Sequence, residues 1–488
     1  MEEKYTLRVV AEDGGRELTG LRRATLSALL QENGFDAPTP CGGHGKCGKC
    51  RVRAAGDLSP APDADGTCLA CQTELTGEAV VWLKAPRMME SIEGLGELPD
   101  FERDPVDGEY GLAVDVGTTT VVAQLISLKD GRALAAVAAE NPQCAVAYDV
   151  IGRTQAALEG RGGLLKELIS SEIARMEALL CKRQGISADR ISARVCTGNT
   201  TMLYLLTGRS PESLAKAPFE ADCLFDRTES GVYLPACFGA YVGADIVCAL
   251  LASGMMGRDR TAMLIDIGTN GEIALLHRGR LYCCATAAGP AFEGVGISCG
   301  VSSVRGAIES ARVENGKIAV NTNGDAEPVG VCGSGLIDVT ACLLETEELD
   351  ETGAMDEDAQ IAPGITLTRQ DVRMIQLAKG SICAGMRTLM AMAGIGVDDV
   401  EHLYIAGGFG RHIRLESAQR IGLIPEFAPD RIRVIGNAAL AGAVMYLLKR
   451  GAEKDARELA ARSECINLAQ SPLFQNFYVE CMLFPEAE

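Results

Sequence analysis

The alternation of apolar and polar positions divides the chain into stretches of different period. Tyr5–Val10 alternates as a strand, Glu17-Leu18 is a second short extended piece, and Ala24–Glu32 has helical spacing closed by Asn33-Gly34. Strand pattern returns at Cys50–Ala54 and Ala79–Leu83. Residues 84–109 lose both periods and mix Pro, Gly and charge, the composition of a linker that either swings or lies packed. From Tyr110 onward apolar strands alternate with helical pattern, which predicts an α/β fold. The longest apolar stretch, Gly239 to Gly257, contains Asp245 and several glycines and reads as a buried helix, not a membrane span.

Within the α/β region a pattern occurs twice. Gly111–Ile126 and Ala262–His277 both run apolar strand, Asp, apolar residue, Gly, Thr, small turn, second apolar strand, with Asp115 and Asp266 at matching positions 151 residues apart. A third extended piece follows each, at Arg132–Ala139 and Arg280–Thr286. Because β-branched residues continue past the turn, each half holds a β-hairpin and not a strand running into a helix. Two such halves face to face would make a cleft with a carboxylate and a Gly/Thr turn on each wall. Amides and hydroxyls of Gly117, Thr118, Thr119 and Thr120 on one side, and Gly268, Thr269 and Asn270 on the other, suit phosphate oxygens. Asp115 and Asp266 suit a hydrated Mg²⁺. A third glycine turn, Gly407-Gly408, ends the strand that starts at Leu403 and allows close approach of a ring or phosphate. Gly436–Val444 opens a small-residue helix.

Composition narrows the partners. The chain has 488 residues, about three domains' worth at ~150 residues each. A net charge of −20 repels phosphate backbones and excludes nucleic acid as a natural partner. Met1-Glu2-Glu3 is no secretory leader, so a cytoplasmic protein is expected, and its 19 cysteines are not a disulfide framework. Most cysteines stand singly in apolar surroundings, but Cys41, Cys47, Cys50, Cys68 and Cys71 crowd together.

Two metal centres fit that cluster by spacing. Cys47, Cys50, Cys68 and Cys71 have the paired C-x₂-C arrangement of a four-thiolate zinc site. Cys41, Cys47 and Cys50 read C-x₅-C-x₂-C, one residue longer than the plant-ferredoxin spacing. CGGHGKCGKC is glycine-rich, so its amides can turn onto sulfide and thiolate charge. The order strand, strand, helix, cysteine loop, strand resembles a β-grasp ferredoxin. CLACQ at 68–72 resembles the segment carrying the last ligand in such domains. That favours a [2Fe-2S] cluster on Cys41, Cys47, Cys50 and Cys71, with Cys68 a bystander. The P-loop-like Gly43-x₄-Gly48-Lys49 is a decoy, because Cys50 occupies the Ser/Thr position.

The whole set resembles a known family. Asp115–Thr120, Asp266–Ile273, Gly407-Gly408 and Asn437–Gly442 are similar to the phosphate, adenosine and connecting motifs of the acetate/sugar kinase–Hsc70–actin superfamily. With GNTTM (198–202), GPAFEG (289–294), CGSGLID (332–338), QLAKG (376–380) and MLFP (482–485), the chain resembles ATP-dependent reductive activators of corrinoid-dependent enzymes over nearly its whole length. That resemblance implies a [2Fe-2S] ferredoxin-like domain at 1–83, a linker at 84–109, and RNase H-like ATPase subdomains at 110–250 and 251–488. It further implies ATP with Mg²⁺, a corrinoid protein as the partner whose Co(II) becomes Co(I), and an external low-potential electron donor. Homodimerisation is left open. The alternative from another class is a small-molecule kinase with a fused redox-sensing cluster, using Asp149 or Asp245 as base.

Overall fold

The computed structural model describes residues 4–11, 14–33, 35, 37, 39, 45, 50–63, 66–83, 96–255, 260–301, 303–407 and 413–486. Among them no helix is long and apolar enough to cross a membrane.

The N-terminal unit is a five-stranded sheet in the order Gly14–Leu21, Tyr5–Ala11, Glu74–Trp82, Arg51–Ser59, Thr67–Leu69. Tyr5–Ala11 runs parallel to Glu74–Trp82, and the other pairs are antiparallel. The helix starts at Leu26, two residues later than its periodicity predicts, because Thr25 takes the cap position and accepts from the Ala28 amide. Its Leu26, Leu29 and Leu30 pack with Leu7, Val9, Leu75 and Val81 into one core. The strand after Cys50 is longer than expected, Arg51–Ser59, and Thr67–Leu69 folds back on its start with Arg51 opposite Leu69. That pairing continues into a 3.0 Å hydrogen bond from the Ala70 amide to the Cys50 carbonyl, which draws Cys71 toward Cys50.

The larger part has two six-stranded sheets of matching design. The first is ordered Arg227–Glu229, Val232–Leu234, Ile191–Gly198, Tyr110–Val116, Thr120–Ser127, Ala133–Glu140. The second is ordered Ile432–Gly436, His402–Ala406, Ala262–Ile267, Gly271–His277, Arg280–Thr286, Ser463–Cys465. In each, the Asp-bearing strand pairs antiparallel with the next in sequence and parallel with a later strand on its other side. Helices Ala244–Ser253 and Ala438–Leu448 lie between the sheets, in an apolar cluster that takes Ala113 and Ile126 from the first sheet and Leu264, Ala274 and Tyr404 from the second. Their backbones nearly touch: a Cβ on Gly442 would sit 2.0 Å from the Cys248 carbonyl oxygen.

Residues 96–109, the described end of the expected linker, are packed and not free. The Glu97, Asp104 and Val106 amides donate to the Ile435, Leu448 and Leu447 carbonyls at 3.2, 2.9 and 3.0 Å. Arg450 pairs with Asp104 and Asp107, while Leu98, Phe101 and Val106 cover the inter-sheet cluster.

This docking predicts that Phe101→Ala in the full chain lowers Tm by a few degrees. Its partial burial puts the loss at about 1–2 kcal/mol, below the ~3–5 kcal/mol of a fully buried Phe. An unchanged melting curve would show that the segment adds no packing.

Candidate functional site

The two Gly/Thr turns meet at the mouth of the paired sheets. The Thr119 and Thr269 hydroxyls are 3.0 Å apart, so one residue from each half of the repeat closes the gap. Each turn is braced from behind. Asn141 donates to the Gly117 carbonyl at 2.8 Å and Asn199 to the Thr118 hydroxyl at 3.1 Å. Arg153, fully buried, donates to the Thr118 carbonyl at 2.6 Å and the Ala147 carbonyl at 2.9 Å. On the other wall Thr269 donates to Glu293 at 2.6 Å, and the second Glu293 oxygen is buried without a partner. Thr120 is exposed, and the Gly268 amide is tied to the Asn270 carbonyl at 3.0 Å.

Behind these turns lies an acidic cluster of three half-buried aspartates and the buried Glu272. Burial pushes Asp115 up to about 6, opposed by a 2.9 Å hydrogen bond from Asn437. Burial and then the charges of Asp245 and Asp115 push Asp266 up to about 8. Asp245 rises to about 7 through burial, with the Asp115 charge adding to it. Glu272 is pushed well above the carboxylate range by burial, then by Asp245 and Asp266. No cation among the described residues offsets any of the four.

Gly407 seals the second wall. At φ +98°, its missing Cβ leaves room for Asp266, whose Oδ1 would otherwise be 2.8 Å away. Gly408 lies outside the described residues. Asn437 does two jobs: its Oδ1 caps helix Ala438–Leu448 through the Leu440 amide, and its Nδ2 reaches Asp115. The two carboxylates weighed as kinase bases separate clearly. Asp149 caps helix Val150–Ala156 through the Gly152 amide at 2.7 Å, whereas Asp245 belongs to the acidic cluster.

In the N-terminal unit the Cys50 and Cys71 sulfurs are 3.2 Å apart and both are buried. Gly45, at φ +71°, lies against Gln72, where a Cβ would meet Cγ at 2.9 Å. Gln72 Nε2 is 3.8 Å from the Cys71 sulfur. Two adjoining buried thiols beside a left-handed glycine turn fit a thiolate-bound cluster. Cys68 instead sits on strand Thr67–Leu69, its thiol pushed up by burial, with Thr73 opposing the rise. Cys41 and Cys47 lie outside the described residues.

Residues 260–488 match the family model described as the C-terminal domain of RACo, the ASKHA domain. Residues 110–258 match the RACo middle region and 10–76 the 2Fe-2S iron–sulfur cluster binding domain. The corrinoid activation enzyme RamQ of Eubacterium limosum is 34% identical over 418 residues, covering 77% of this chain and 70% of that protein. The [Co(II) methylated amine-specific corrinoid protein] reductase of Methanosarcina barkeri is 26% identical over 416 residues, covering 76% of each. A solved reductive activator for corrinoid, iron–sulfur protein superposes with a TM-score of 0.71 at 26% identity over 99% of both chains. The N-terminal ferredoxin domain and ASKHA core expected from the sequence are thus what the chain contains.

The acidic cluster has a measurable sign. Carboxylates raised in the fold bind protons there that the unfolded chain releases, so their contribution to stability is full below the ordinary carboxylate range, at pH ~4. That contribution is lost as pH rises through about 6, 7 and 8 for Asp115, Asp245 and Asp266. Asp266→Asn is therefore expected to melt higher than the parent without nucleotide, by about 2–4 °C per kcal/mol relieved. The gap should widen from pH 5 to pH 8. A gap that is absent or shrinks over that range would show that Asp266 is not raised above the ordinary carboxylate range.

Proposed function

This chain belongs to the RACo family of corrinoid reductive activators, and from that premise we propose that it couples ATP binding and hydrolysis to one-electron reduction of a corrinoid protein, Co(II) to Co(I). The observation that carries the reading is that one chain joins a 2Fe-2S domain to an ASKHA core, while a relative aligned over 77% of it is a corrinoid activation enzyme.

Cys41, Cys47, Cys50 and Cys71 would hold a [2Fe-2S] cluster, which when bound supplies electrons singly. Gly117–Thr120 and Gly268–Asn270 are assigned to the ATP phosphates, and Gly407 and Gly408 to the adenosine end. Asp115 and Asp266 are assigned to Mg²⁺ through its waters. Among the described residues no three potential ligands converge on one point, which suits an ion that keeps several waters and takes few carboxylates. Glu293, one oxygen held by Thr269 and the other free, is assigned to orient the attacking water.

Phosphates seated between the turns must part the Thr119–Thr269 contact. Nucleotide state would then set the angle between the two halves, and a partner that prefers one angle would be bound or released with it. The net charge of −20 favours a corrinoid protein with a basic docking face. An external low-potential donor is required. A cytoplasmic setting, where thiols stay reduced, suits the cysteine-rich chain.

Incubating Co(II) corrinoid protein with this chain, Mg·ATP and a strong reductant should give the Co(I) absorption spectrum, and omitting ATP should prevent it. Phosphorylation of a small molecule with no Co(I) would favour the kinase alternative. Asp266→Ala should lower ATPase by about 10²-fold or more with an unchanged cluster spectrum. Glu293→Gln should lower kcat by about 10²–10⁴-fold while nucleotide affinity holds; wild-type turnover in that variant would remove Glu293 from the reaction.

A further inference from the structure

One cysteine pair lies far from the ferredoxin unit. Cys383 sits on the long helix Arg369–Ala393 and Cys481 on the last turn of helix Pro472–Met482, and the two pack together in a small buried cluster with Ala384. Arg387 reaches the Cys481 sulfur at 3.5 Å, pairs with Glu480 at 2.8 Å and lies over the Phe477 ring. Lys379, fully buried, holds the Leu483 carbonyl one turn away, and Gln376 holds the Met482 carbonyl at 3.1 Å. Cys481 thus has a cation at its sulfur, a second cation nearby and a thiol beside it. Those neighbours lower it to about 7, the Cys383 thiol counting most, against burial.

The same long helix presses on the second nucleotide hairpin. A Cβ on Gly385 would meet Ile273 at 2.6 Å and Thr286 at 2.8 Å, and one on Gly271 would meet Ile382 at 2.9 Å. Ile382 and Gly385 flank Cys383, so whatever fixes Cys383 fixes the helix face that supports strand Gly271–His277.

We propose that Cys481 and Cys383 are an oxidation-sensitive dithiol, which closes to a disulfide under peroxide, ties the C-terminal helix to the long helix and slows ATP turnover. The Cys481 thiolate attacks one peroxide oxygen, the O–O bond breaks and the departing hydroxide takes a proton as water, leaving a sulfenic acid. The Cys383 sulfur gives up its proton and displaces the sulfenic hydroxyl, which leaves as a second water. The two thiols lose two electrons and two protons, and hydrogen peroxide gains both. Bond formation rests on the packing of the two thiols and on Arg387 at the Cys481 sulfur, whereas its effect on turnover rests on the ATPase reading.

The test treats the full-length, anaerobically purified protein with hydrogen peroxide, maps disulfides by peptide mass and follows ATPase. A Cys383–Cys481 crosslinked peptide is expected, with a severalfold fall in ATPase restored by dithiothreitol. Cys383→Ser should give Cys481 sulfenic acid and no crosslink, and Arg387→Gln should shift the pH profile of Cys481 alkylation upward. Both cysteines remaining alkylatable after peroxide, or Cys481 alkylation indifferent to Arg387→Gln, would overturn the dithiol. A crosslink with unchanged ATPase would overturn the regulatory half alone. ATPase absent before any treatment would count against the nucleotide reading and leave the mapped bond standing.

Discussion

Four carboxylates, the half-buried Asp115, Asp245 and Asp266 and the buried Glu272, repel one another across the junction of two duplicated halves with no cation among the described residues between them. Most of the core can be understood as what is needed to hold that arrangement. Asp115 and Asp266 stand near the ends of the first strands of matching hairpins, and each strand is flanked on both sides, which fixes the backbone that carries them. Asp245 is fixed at the start of a helix whose backbone touches that of Ala438–Leu448 at Gly442, and Asn437 begins that second helix with its amide on Asp115. A cleft held in this way is least comfortable when empty. On the proposed reading, a bound cation with its phosphates would relieve the repulsion, and that relief could be coupled to a movement of the halves.

The hairpins were legible in the sequence because a period-two pattern repeated at matching positions survives without knowledge of the fold. The same holds for the ferredoxin order and for the turn residues Gly117–Thr120 and Gly268–Asn270. What stayed hidden was long-range convergence. In the sequence Asn437 only stands at the opening of a small-residue helix and in the connecting motif, and the fold brings it 322 positions back to Asp115. Glu293 follows a short turn with no strand or helix period, and its pairing with Thr269 depends on the path of the chain after Thr286. Glu272 alternates correctly as a strand residue, but a pattern cannot tell that its face is the interior of a cleft. Asp149 and Asp245 looked equivalent as isolated acids, and only placement separates a cap from a cluster member. The docking of 96–109 was equally invisible, since an extended segment bonded through its backbone carries no side-chain period.

The site also reaches beyond the cleft through contacts that leave little slack. Helix Arg369–Ala393 meets the second hairpin at Gly271 and Gly385, where any added atom would collide, and it carries the C-terminal helix on its other side. The docked segment 96–109 touches both Asn437, through Gly96, and the end of helix Ala438–Leu448. The chain that leads toward the ferredoxin unit thus contacts the residue bonded to Asp115. On the proposed reading, a nucleotide in the cleft would act on this segment, and linkage requires the influence to run in both directions.

The central claim is that the clustered acids hold protons when the cleft is empty and yield them to a metal–nucleotide complex. Calorimetric titration of Mg²⁺ with a non-hydrolysable ATP analogue at pH 7, in buffers of different ionisation enthalpy, counts the protons exchanged on binding. Net release is expected, because Asp266 at about 8 and Asp245 at about 7 are substantially protonated beforehand and a cation favours their charged forms. The release should diminish in Asp266→Asn. Binding with no proton exchange, or with proton uptake, would contradict the claim.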